Sequence, residues 1–95
     1  RVAPGAPQDL WAVVTGSTAT IRWSRPATGA AHEYILEGSL RYGEGDIGRV
    51  TFGGSVHELT VPVSPAGTHY LVQVRARNDC GESPPSNPVA LPFPG

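Results

Sequence analysis

A chain of 95 residues, 39% of them hydrophobic, has material for one core and is too short for two. Seven basic residues, all Arg, against eight acidic ones leave a formal charge of −1 with no block of like charge, which argues against nucleic acid or an anionic lipid surface as partner. Cys80 is the only cysteine, so an internal disulfide is excluded; no apolar run is long enough to span a membrane, and no signal peptide is legible.

The 12 Gly and 10 Pro fall between apolar runs, as the turns of a β protein do. Residues 1–6 read as a stiff Pro/Gly/Ala linker, and with a start at Arg1 and no Met the chain reads as a segment of a longer protein. Residues 9–14 place Leu10, Ala12 and Val14 on one face of a first strand and Trp11 and Val13 on the other. The cleanest alternation is 18–24, with Ala19, Ile21 and Trp23 inward and Thr18, Thr20, Arg22 and Ser24 outward. After a loop over 27–31, residues 32–40 put Tyr34 and Leu36 inward and Glu33, Ile35 and Glu37 outward.

Gly43, Gly45 and Gly48 make a connection to a short strand over 49–53, whose facing the glycines leave open. Residues 56–63 offer Leu59, Val61 and Val63 to the core, and Pro62, lacking a ladder donor, assigns this strand to an edge. The longest strand covers 68–78, with Tyr70, Val72, Val74 and Ala76 inward and Leu71, Gln73, Arg75 and Arg77 outward. A last strand over 87–93 brings Val89, Leu91 and Phe93 into phase. Seven short strands and no helical pattern predict an all-β, two-sheet sandwich with Leu10, Ile21, Trp23, Tyr34, Leu36, Leu59, Val61, Tyr70, Val72, Val74, Ala76, Val89 and Leu91 as its core.

Pro7-x-x-Leu10, Trp23 followed by Pro26, Tyr34, the run from Pro65 to Tyr70, and Val72, Val74, Ala76, Asn78 and Gly81 leading to Ser83 and Ser86 together resemble the fibronectin type III domain over residues 7–93. The resemblance implies a seven-stranded immunoglobulin-like sandwich, strands A, B and E facing C, C′, F and G. It also implies a tyrosine corner in which Tyr70 reaches back to the backbone near Pro65. The loop style is similar to that of bacterial members that act as spacers in secreted enzymes and surface proteins, and the Arg-Gly-Asp motif of some animal members is missing. Residues 94–95 then begin a C-terminal linker.

No nucleophile with a base beside it is legible, and no catalytic, metal or cofactor residue is assigned. His32, His57 and His69 lie on different segments; His32 and His69 read as solvated or capping groups, and His57 has no Cys or carboxylate at a metal-ligand spacing. Glu44 and Asp46 supply too few oxygens for calcium. Cys80 reads as a small buried or half-buried hydrophobe. Four residues are candidates for interaction: Trp11 and Tyr42 as exposed aromatics, and Arg75 and Arg77 on the outer stripe of the long strand, opposite Glu33 and Glu37.

The function that follows is a non-catalytic spacer or docking module, monomeric when isolated, within an extracellular or cell-surface multidomain protein. Its partners are neighbouring domains. The alternative is a protein- or polysaccharide-binding module that uses Trp11 or the loops over 25–31 and 78–86.

Overall fold

Alternating burial along Thr18–Ser24 makes this strand, β2, the centre of a three-stranded antiparallel sheet between β1 (Gln8–Thr15) and β5 (Glu58–Pro62). The coordinates are a computed structural model that describes residues 2–40 and 48–93; Tyr42, Glu44 and Asp46 lie outside the described residues. Register places Ile21 between Ala12 and Leu59, and Ala19 between Val14 and Val61, so the inward rows of this sheet are wholly apolar. Near its start β1 bulges: the pairing shifts between Gln8 and Trp11, and Asp9 takes a φ of 55°. That kink delivers Leu10 to the core and leaves Trp11 opposite Arg22 on the outer face.

The second sheet runs β4 (Gly48–Gly53), β3 (Glu33–Ser39), β6 (Thr68–Asn78), with β7 (Gly81–Glu82) and β8 (Val89–Phe93) sharing the far side of β6. The two sheets therefore have the A, B, E and C′, C, F, G membership expected from the resemblance. Leu10, Ala19, Ile21, Trp23, Tyr34, Val72, Val74, Ala76 and Leu91 are buried between them. Leu36, Leu59, Val61 and Val89 are half-buried against that cluster. Tyr70 is only half-buried, at the rim, where its ring meets Phe93 at 6.1 Å between centroids. Among the described residues no hydrogen bond joins its hydroxyl to the backbone near Pro65.

Strand G is in two pieces, and the cause is local chemistry. Pro84 and Pro85 have no N–H to give to β6, so the ladder is carried by the serines on either side. Ser83 donates its N–H to Ala76 O and accepts the Ala76 N–H on its hydroxyl; Ser86 does the same with Val74 O and the Val74 N–H. Both serines are buried, and their hydroxyls in turn donate to Pro84 O and Asn87 O. The edge of the sheet is thereby lined with prolines, while β6 keeps its hydrogen bonds.

Ile35 and Glu37 lie on the outer face of β3 as the alternation predicts, yet they are buried, 1% and 4% exposed. β3 is a central strand, paired with β4 on one side and β6 on the other, and long side chains from both neighbours close over its outer face. Glu37 accepts from Arg75 Nε at 2.8 Å, Arg49 Nε at 2.8 Å and Gln73 Nε2 at 2.7 Å. Arg49 also bonds Glu82, which lies near Arg77, and Arg77 bonds Glu33. Among the described residues three arginines and three glutamates thus form one electrically neutral network around Ile35. The buried carboxylate is tolerated because charge-assisted donors satisfy it.

Candidate functional site

Three connections meet at the pole where β2 and β6 end: the loop over 25–32, the turn over 54–57, and the hairpin over 79–80. Each is fixed by backbone bonds. His32 N donates to Arg77 O, Gly54 N to His32 O, and Trp23 N to His57 O. The incoming chain crosses the same pole, with Gly5 N donating to Thr28 O and Asn78 Nδ2 donating to both Val2 O and Ala30 O. Two glycines permit this crowding. A Cβ on Gly54 would meet Ala31 O at 2.3 Å, and one on Gly29, at a φ of +76°, would meet the Pro4 Cα at 2.7 Å.

A cleft of about 590 Å³ opens between the first loop and the turn. Among the described residues its polar lining consists of Arg25, Tyr34, Ser55 and His57, with no Asp or Glu. The Tyr34 ring makes edge contacts with His57 at 5.2 Å and with Trp23 at 5.6 Å, so three rings form a rigid wall rooted in the core. Burial pushes the Tyr34 hydroxyl above the ordinary tyrosine pKa, with the nearby Arg25 charge acting in the opposite sense. Among the described residues the buried Nδ1 of His57 has no hydrogen-bond partner, and neither does Trp23 Nε1. Sequence reading had named the first loop and the region 78–86, but not the turn that carries His57. Only tertiary pairing of β5 with β2 brings it here.

On the far side of this pole His32 Nδ1 lies 3.7 Å from Asp79, and Cys80 is exposed beside them. The expectation of a buried or half-buried Cys80 is corrected: it sits at the tip of the β6–β7 hairpin, where no second sheet covers it. Among the described residues no group of three or more His, Cys, Asp or Glu is placed to hold a metal.

Of the other candidates, Trp11 is 43% exposed on the outer face of the first sheet. The Arg22 guanidinium stacks on its ring at 5.1 Å and also pairs with Glu58 on β5. One row across three strands thus reads Trp11, Arg22, Glu58, a flat surface rather than a groove. Arg75 and Arg77 are both engaged in the neutral network on the opposite sheet. The structure therefore brings Arg25, Tyr34 and His57 together, and separates Trp11 from Arg75 and Arg77.

The family model described as fibronectin type III domain matches residues 5–91. Among solved structures, the FN1–FN3 domains of chicken CNTN1 align at a TM-score of 0.76 and 19% identity, covering 100% of this chain and 34% of that one. The FN5 domain of Drosophila Lar aligns at 0.66 and 22%, covering 97% and 98%. A titin kinase structure with its flanking domains aligns at 0.69 and 26%, covering 93% and 16%. The chain thus spans about a third of the first of these and nearly all of the second. No curated protein matches the chain at a significant level.

Proposed function

Because the chain belongs to the fibronectin type III domain family, we propose that it is a non-catalytic spacer and docking module in a larger secreted or cell-surface protein. Domains of this family are common modules of multidomain chains and frequent in extracellular and surface proteins. The observation that carries the reading is the position of the two chain ends. Entry is bound to the Asn78 end of β6 through Val2 O, and exit is paired with the Thr68 end through Phe93. The 11 residues of β6 separate these points by about 33 Å.

A module entered at one pole and left at the other adds its length to the chain, and both Val2 and Phe93 are held to β6. Next to the entry strap the Gly29 and Pro4 backbones touch; at the exit Ser64 N donates to Pro92 O. Proline at both ends restricts the adjoining φ angles and stiffens the joints. Small-angle scattering of the parent protein, with and without residues 7–93, tests this. A shortening near the length of β6 supports the spacer, and unchanged dimensions refute it.

A second reading, a carbohydrate-binding module, is supported only by the exposure of Trp11. An NMR titration with soluble polysaccharides separates the two: shifts centred on Trp11 and Arg22 favour the binding module. Arg22 already occupies one face of the ring, which weakens it as a sugar platform.

A further inference from the structure

The polar cleft at the entry pole has features that packing alone does not explain. Tyr34 is 1% exposed, yet it lines the cleft. His57 lines it too, with a buried Nδ1 that among the described residues has no hydrogen-bond partner. Buried polar groups in native structures are nearly always satisfied, so an orphan on the cleft wall marks a place where a polar group from outside belongs. Arg25 stands at the same cleft, exposed and, among the described residues, without an ion pair. By contrast Arg22, Arg49, Arg75 and Arg77 are each tied to a glutamate.

Each of these groups can donate. A guanidinium only donates, a phenol and a serine hydroxyl donate as well as accept, and an imidazole donates from whichever nitrogen carries its proton. With Arg25 as the charged group and no carboxylate among the described residues of the lining, the cleft's complement is an acceptor bearing negative charge. One permanent cation matches a monoanion, and the planar guanidinium fork matches the planar carboxylate. The backbone bonds that hold the loop and the turn supply preorganisation, so little ordering remains to be done on binding.

We propose that the cleft between residues 25–31 and 54–57 is a binding site for a carboxylate of a partner polypeptide, held by Arg25, Tyr34 and His57. The source is an Asp or Glu side chain or a chain terminus, and either presents the same two oxygens. The site is independent of the spacer reading, since a module can both set distance and take hold of an acidic group at its entry pole.

The test is a two-dimensional amide NMR titration of the domain with three blocked peptides: Ac-Ala-Glu-Ala-NH2, Ac-Ala-Gln-Ala-NH2, and Ac-Ala-Ala-Ala with a free C-terminal carboxylate. The Glu peptide is expected to bind with a Kd on the order of 1 mM, shifting amides of 25–31 and 54–57 and leaving β4 unmoved. Binding by the free terminus alone supports the site and assigns the chain end as its ligand. Arg25→Gln, at an exposed position, is expected to weaken binding about tenfold or more, and the near-isosteric Tyr34→Phe severalfold, with the rest of both spectra unchanged. The proposal is overturned if no peptide shifts these amides at 10 mM or thereabouts, ten times the expected Kd. Equal shifts from the Gln peptide, or an unchanged affinity in Arg25→Gln, overturn it as well.

Discussion

Asn87 and Leu10, 77 residues apart, exchange two hydrogen bonds: Asn87 Nδ2 donates to Leu10 O at 2.7 Å and Leu10 N donates to Asn87 Oδ1 at 3.0 Å. A side-chain amide here takes the place of a strand. It satisfies the backbone of β1 at its bulge and ties the edge of the first sheet to the segment between β7 and β8. Asn87→Ala is expected to lower stability by about 1–3 kcal/mol, since both Leu10 groups are left without partners. Asn87→Asp keeps the acceptor but sets a carboxylate against Leu10 O, and should cost at least as much. Urea denaturation followed by Trp fluorescence measures both, and midpoints unchanged from the native chain would show that water takes over the bonds.

The serines beside Pro84-Pro85 supply a second expectation. Ser83→Ala and Ser86→Ala each remove the acceptor of a buried β6 amide, at a cost of about 1–3 kcal/mol. The signature is site-specific: hydrogen exchange should quicken at Ala76 in the first variant and at Val74 in the second. Quickening spread equally over β6 would mean that global unfolding, rather than the missing hydroxyl, carries the effect.

Much of this fold is legible from alternation. Residues 18–24 and 68–78 are strands with the bounds and inward sets that a period of two predicts, because each has one face on the core. Ile35 and Glu37 escape that logic. The pattern reads every outward position as wet, whereas Arg49 and Arg75 reach across from neighbouring strands to roof the outer face, and which strands are neighbours is a tertiary fact. The cleft escapes it for the same reason. Arg25 and Tyr34 are close in sequence, but His57 arrives through strand pairing, and its orphaned nitrogen has no sequence signature.

Glu37 offers a test of the roof. Glu37→Ala leaves Arg49, Arg75 and Gln73 without their shared acceptor, and about 2–3 kcal/mol of stability should be lost. The value falls below that of a fully enclosed pair because Arg49 can turn to water. The loss is expected to persist in 0.5 M salt or thereabouts, where the Debye length is only a few ångströms, since the carboxylate is buried. The effect of Glu33→Ala, at a half-exposed pair, should vanish there. Equal salt sensitivity in the two variants would contradict the burial of Glu37.

Tyr34 makes the stability curve asymmetric at high pH. Its pKa is raised above 10.0 in the folded chain, mainly by burial, so the unfolded chain releases this proton first. The contribution is fully present below pH 10.0 and is lost as pH rises from there through the folded value. Tyr34→Phe should therefore flatten the alkaline decline in stability above that pH. An identical decline in the variant would assign it to other groups.

The bond between Asn87 and Leu10 also has a meaning in time. A chain made from its N-terminus at about 5–20 residues per second presents Leu10 some 4–15 seconds before Asn87 exists. During that interval the bulged edge of β1 is open, and the acceptor of the Val2 strap, held by Asn78, waits almost as long. The module thus closes once, late, and from its last strand. When several such domains follow one another, each should be sealed only after nearly all of its own residues have emerged, which leaves a brief window in which an unfinished edge is available to the wrong neighbour.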